Sequence, residues 1–224
     1  MAFGNGPQIV TSGLVINLNA ADLNSYPGSG TTWKDLSGNG NNGNLLNGPG
    51  FSTVNGGVIV FDGTDDYLKL DYLTGYLNNA SAVSFSIGVW VKFTSLVSRS
   101  GLWGKNDAIE FGPINTADIT LWSANSSTSI SYSISNSTLL NYNYILLTNS
   151  TSGATLYVNG ISVASGPAVS GTSGYDFTVM TGAFDPPGSS YSGGYVPSFT
   201  AYNRVLSSSE VLQNYNVLKT RFGL

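Results

Sequence analysis

Apolar residues in this chain recur most often at every second position, the spacing that sends successive side chains to opposite faces of a β-strand. Residues 84–93 show it best. Phe85, Ile87, Val89, Val91 and Phe93 alternate with Ser84, Ser86, Gly88, Trp90 and Lys92. One face is wholly apolar and the other mixed, which predicts a central strand of a two-layer sandwich. Shorter runs predict strands at 14–18, 58–61, 67–70, 102–105, 109–112, 119–123, 129–134, 144–148, 177–181 and 195–202. Asn159-Gly160 is the preferred pair for a two-residue type I′ turn. It predicts a hairpin that pairs Val158 with Ile161 and Leu156 with Val163, all four on one face.

The period changes near the C-terminus. Ser207 followed three residues later by Glu210 makes a capping box, and Leu206 and Val211 stand where a hydrophobic staple would. Val211, Leu212, Tyr215, Leu218 and Phe222 form an apolar stripe at helical spacing. Lys219 and Arg221 suit the negative end of the helix dipole, and Gly223 is placed to stop it. These signals predict a helix at 207–222. It belongs to one domain at 14–224, preceded by an N-terminal arm at 1–13; no repeat or linker divides the chain.

The densest run of turn residues, 33–47, contains a literal G-x-G-x-x-G at Gly38, Gly40 and Gly43. A dinucleotide fingerprint follows a strand and opens a helix. Here more Asn and Gly follow, so the glycines are expected to supply positive φ for turns. The stretch reads as scaffold, with Trp33 and Leu36 as anchors into the core.

Only 9% of the 224 residues are charged, so the polar surface must be built from Ser, Thr, Asn and Gly. The net charge is −4 and the eight basic residues are scattered, which excludes a phosphate-tracking nucleic-acid surface. Cys and His are absent, removing disulfides, thiolate metal sites, imidazole ligands and the commonest general base. No apolar run approaches membrane-spanning length. The first residues lack the basic and apolar regions of a signal peptide, so synthesis in a host cytoplasm without secretion is expected.

Several stretches together resemble a known family. They are Gly13-Leu14-Val15, the run from Ser25 to Trp33, Asp35-Leu36-Ser37-Gly38-Asn39, Phe61-Asp62-Gly63, Leu156-Tyr157-Val158-Asn159-Gly160 and the run from Tyr202 to Ser207. In order and spacing they resemble concanavalin A-like, laminin-G-like domains. The resemblance implies an all-β fold, a two-sheet antiparallel jelly-roll β-sandwich, here with a C-terminal α-helix. The variant most like this chain resembles virion structural proteins of tailed phages, marine and cyanobacterial ones especially. That implies a capsid decoration or short surface-fibre protein on the virion surface, partnered by other virion proteins and assembled as a homo-oligomer. The alternative is a lectin-like adhesin that binds cell-surface polysaccharide. Relatives often carry an acidic pair before the Tyr-Asn-Arg motif; residues 196–200 have no acid, so no role of that pair carries over.

An enzyme is not expected. A glycosidase needs two carboxylates across a cleft, and the chain has only two Glu, Glu110 and the capping-box Glu210. Asp107 and Glu110 are three apart, which on a strand gives opposite faces. No cofactor is implied except calcium, since some laminin-G-like domains bind it near loop ends. Asp62, Asp65, Asp66 and Asp71 crowd one turn and offer hard oxygen ligands, although Asp-Gly-Thr-Asp-Asp is also ordinary turn chemistry. For glycan binding, or for a subunit interface, the aromatic candidates are Trp122, Tyr132, Tyr191 and Tyr195.

Overall fold

The computed structural model describes residues 8–96, 100–106, 108–115, 118–123, 127–181 and 191–224. The first half of the chain supplies β1 (Leu14–Asn19), β2 (Thr32–Trp33), β3 (Gly43–Leu46), β4 (Gly50–Ser52), β5 (Val58–Asp62), β6 (Tyr67–Lys69), β7 (Phe85–Phe93) and β8 (Trp103–Lys105). The second half supplies β9 (Ile109–Asn115), β10 (Asp118–Ser123), β11 (Ser127–Ser133), β12 (Asn143–Ser150), β13 (Gly153–Val158), β14 (Ile161–Gly166), β15 (Phe177–Val179) and β16 (Gly193–Tyr202). Helices α1 (Asp71–Tyr76) and α2 (Asn136–Leu139) are short, and α3 (Ser208–Leu218) runs on into a 3₁₀ turn, Lys219–Phe222. No helix among the described residues is long and apolar enough to cross a membrane.

The strands form two antiparallel sheets. In the first the order is β14-β13-β12-β7-β16-β5-β4, with β1 also paired to β16; in the second it is β11-β10-β9-β8-β15-β6-β3-β2. The result is a two-sheet antiparallel sandwich with a C-terminal helix, the architecture that the resemblance implied. As its alternation predicts, β7 is central, flanked by β12 and β16. Its apolar side, Phe85 to Phe93, faces the core between the sheets. The second sheet answers with a row in register across seven strands: Leu45, Leu68, Val179, Trp103, Phe111, Leu121 and Ile130. All seven are buried.

The mixed side of β7 is also buried, because α3 and the 3₁₀ turn lie over it. Trp90 stacks on Tyr144 and Tyr215, with centroids 5.5 Å and 5.6 Å away, and meets the Phe222 ring at 4.5 Å. Val10, Leu146, Tyr157, Tyr202, Leu206 and Val211 complete this second cluster. Some of its polar groups are paired in a ring that does not reach the buried Trp90 indole N–H or Tyr144 hydroxyl: Val10 N donates to Asn214 Oδ1 at 2.8 Å, Asn214 Nδ2 to the Tyr202 hydroxyl at 2.9 Å, and that hydroxyl to the Val10 carbonyl at 3.0 Å. The arm predicted at 1–13 is therefore docked from Val10 onward; residues 1–7 lie outside the described set.

The predicted capping box is present. Ser207 caps α3, and the Glu210 carboxylate accepts from the Ser207 N–H at 2.8 Å. Arg204 adds a two-pronged pair to Glu210 at 2.9 Å and 2.6 Å. The α-helix is shorter than the predicted 207–222: at Leu218 it tightens, which turns the Arg221 guanidinium onto the carbonyls of Asn55 and Gly57. Leu212, assigned to the buried stripe, is 44% exposed.

The hairpin differs from its predicted register in one place. Asn159 and Gly160 adopt φ of 51° and 82°, as the turn requires, and Val158 pairs with Ile161. Leu156, however, pairs with Ala164, because a bulge admits Val163 as an extra residue. Ile161 points into solvent at 67% exposure. In the turn-rich stretch, Gly38 and Gly40 take positive φ while Gly43 begins β3. Asp35 ties that stretch together, its carboxylate accepting from the N–H groups of Asn17, Ser37 and Asn41. Trp33 is buried and Leu36 half-buried.

Two outcomes follow for stability. Replacing Trp90 by Ala leaves the terminal helix without its platform; urea unfolding is expected to show a loss of about 3–5 kcal/mol, the range for large aromatic truncations. A loss below a quarter of that would mean that the helix docks through other contacts. The Arg204 guanidinium, then the Ser207 N–H, hold the Glu210 carboxyl at about 2 against an ordinary 4.5. A depressed carboxyl supplies stability that is whole above 4.5 and is lost as pH falls through about 2. Acid unfolding of Glu210→Gln is expected to be flatter than wild type across that window, and an identical pH slope would refute it.

Candidate functional site

The two sheets offer different outer surfaces. That of the first is covered by α3 around Trp90. That of the second carries a row in register across six strands: Asn44, Lys69, Thr178, Gly104, Glu110 and Trp122. These residues alternate with the core row, so strand geometry alone sends them outward. Thr178 and Glu110 form a buried floor, at 7% and 6% exposure. Gly112, on the Glu110 side of β9, has no room for a side chain, because Ser100 O and Leu102 N lie against it. The chain entering β8 thus crosses the face there, walling off the Glu110 end.

The other end of the row opens into a cleft of about 430 Å³, lined by Thr31, Asn44, Leu46, Asn47, Gly48 and Lys69 with the Leu45 backbone strand between. The Lys69 ammonium reaches Asp176 at 2.9 Å and Asp71 at 3.3 Å. The hydrogen bond to Asp176, chiefly, raises the Lys69 pKa above its ordinary value, with Asp71 adding to it against the cost of burial. Asn44 Nδ2 donates to Asp71 at 3.1 Å, and Asn47 Nδ2 donates to the Asp65 carbonyl at 2.7 Å. Both amides are thereby oriented, each keeping its side-chain carbonyl for another donor. Tyr67, on the same side of β6 as Lys69, faces Tyr191 with centroids 6.4 Å apart. Burial raises both phenol pKa values, so both rings stay neutral hydrogen-bond donors at ordinary pH.

The aromatic candidates therefore separate. Tyr191 stands beside the cleft. Trp122, half-buried, stands on the same face at the far end of the row, five strand spacings or ~24 Å away. Tyr132 pairs with the core residue Ile119 and packs its ring against the interior. Tyr195 is on the other sheet, where Lys92 lies over its ring at 5.9 Å and over that of Tyr142 at 5.7 Å.

The four aspartates separate too. Carboxylate oxygens of Asp62, Asp65 and Asp66 come within 4.8 Å of one another at the turn from β5 to β6, a hard-oxygen set that could hold calcium. Burial, first, and the neighbouring Asp62 and Asp65 charges raise the Asp66 carboxyl, against the Asp62 N–H that it accepts. Two of the six oxygens already serve the turn, through Asp62 N–H and Thr64 N–H. Asp71 is not part of this set; it is on α1, engaged with Lys69 and Asn44. Of the hydrolase pair, Glu110 faces outward and Asp107 lies outside the described residues.

Sequence patterning alone missed Asn44, Asn47, Tyr67, Lys69 and Asp176. Asn44, Tyr67 and Lys69 stand on strands of three or four residues, too short for a period to show, and Asn47 and Asp176 lie just outside β3 and β15. The only signal was local: Tyr67 and Lys69 alternating about Leu68.

Among solved structures, a mutant Trypanosoma rangeli sialidase with trans-sialidase activity matches at a TM-score of 0.69 and 18% identity, over 96% of this chain and 34% of that one. The chain spans about a third of the length of the sialidases it matches. Domain 4 of a GH43 extracellular arabinanase from Geobacillus stearothermophilus, solved with arabinotriose, matches at 0.63 and 17% identity, over 90% and 98%. The binding domain of Paraclostridial Mosquitocidal Protein 1 matches at 0.66 and 16%, over 91% and 52%. At these identities the likeness is one of fold. No curated protein sequence matches the chain. The profile of the concanavalin A-like lectin/glucanases superfamily matches residues 62–212, more than half of the sequence, and the chain belongs to that superfamily.

Proposed function

We propose that this protein is a lectin-like carbohydrate-binding protein whose glycan lies in the cleft between Asn44, Asn47, Lys69 and the Tyr67–Tyr191 pair. The observation that carries the reading is the register of the second sheet, which brings aromatic faces, oriented amides and carboxylates to one open edge. Sugars present both C–H faces and hydroxyls. Aromatic rings take the former, and amides and carboxylates the latter, in a site of the size usual for small ligands. The arabinotriose bound to the matching arabinanase domain supports the same class of ligand. These relationships favour a glycan-binding adhesin over the virion structural role that the sequence suggested. On this reading the protein binds without cleaving; the Glu110 carboxyl stands on the buried floor, away from the cleft.

A glycan array followed by calorimetry on the bound glycan tests the assignment. Tyr191→Ala is expected to weaken binding roughly three- to tenfold and Asn44→Ala roughly two- to tenfold. Tyr195→Ala, on the opposite sheet, should bind as wild type does. Equal losses in all three, or loss only at Tyr195, would move the site elsewhere. Release of reducing ends from the bound glycan would replace binding by hydrolysis.

A further inference from the structure

The charges around the cleft point to a narrower ligand class, an inference that rests on the glycan reading above. Lys69 is the cation lining the cleft, and it is already shared between Asp71 and Asp176. Those two carboxylates remain 64% and 50% exposed, turned to the solvent from which a ligand arrives. Asp65 stands at the opposite rim, its backbone held by Asn47, with Asp62 and Asp66 beside it. The nearest other basic residues do not reverse the balance. Lys105 is fully buried and directed inward, onto the Thr74 carbonyl and Asn78. Lys34 is exposed two residues beyond Thr32, at the outer edge of the sheet. Among the described residues, even with Lys34 counted, carboxylates outnumber ammonium groups around the cleft.

An anionic sugar entering here meets like charges at the rim and a lysine whose charge is already shared by two carboxylates. A neutral sugar meets good acceptors for its hydroxyls and no repulsion. We infer that the cleft selects neutral glycans and rejects those carrying carboxylate or sulfate groups. The rejecting groups are Asp71 and Asp176, acting on the ligand's charge rather than on its shape.

The test is an array of neutral polysaccharides and of uronate-, sialate- and sulfate-bearing ones, read with the whole chain in chelator so that no divalent cation bridges the charges. Neutral members alone are expected to bind, with anionic ones at least about tenfold weaker at low salt, the gap closing toward 1 M salt as the charges are screened. The Asp71→Asn, Asp176→Asn double variant should gain anionic ligands, its ratio of anionic to neutral binding rising at least about tenfold whatever neutral affinity the lost acceptors cost. Circular dichroism verifies its fold, and single Asn variants replace it if the double variant does not fold. Comparable wild-type binding of anionic members, or a salt-independent gap, overturns the selectivity and leaves glycan binding standing. No binding to any member overturns both.

Discussion

The docking of the C-terminal helix onto Trp90 is the contact on which the surface of this molecule depends. A β-sandwich has two inner faces that bury each other and two outer faces that must be made polar or covered. Here the central strand puts a Trp on its outer side, an unfavourable choice unless something lies over it. Tyr215 and Phe222 do so, and a ring of hydrogen bonds through Asn214, Tyr202 and Val10 pairs the polar groups at its margin, leaving the Trp90 indole N–H and the Tyr144 hydroxyl outside it. Once that face is committed to packing, the broad polar row of the protein is left on the other sheet.

The central strand and terminal helix could be read from sequence because each is long enough to repeat its own period. β7 alternates for nine residues, and α3 carries both partners of its capping box within four. The hairpin was legible at its turn, where Asn159-Gly160 fixes positive φ, and not beyond it, because the bulge at Val163 leaves no mark in an alternation of apolar and small residues. The end of α3 was misplaced because the stripe continues through Phe222, whereas the backbone tightens so that Arg221 can reach Asn55 and Gly57. Helical spacing does not encode that tertiary demand.

The candidate site was much less legible. Its residues come from strands of two to four positions, brought together by pairing between segments far apart in sequence: β3 with β6, β6 with β15, β15 with β8. The conspicuous aromatics chosen from sequence scatter: Tyr191 and Trp122 lie on the face of the candidate cleft, Tyr132 is turned inward, and Tyr195 is on the opposite sheet. Composition could identify a low-charge surface. It could not show that several of the few charges would gather at one cleft edge.

The ring joining Val10, Asn214 and Tyr202 also sets how the molecule can be displayed. It fastens the segment at Val10, ahead of β1, and the last helix to the same outer face, while the cleft opens on the other, across the thickness of two packed sheets. A support joined beyond α3 would lie behind the sandwich and leave the cleft facing outward, toward whatever surface carries the ligand. Many copies arrayed on one support would present their clefts in parallel, so that weak individual sites could act together on a repeating polymer.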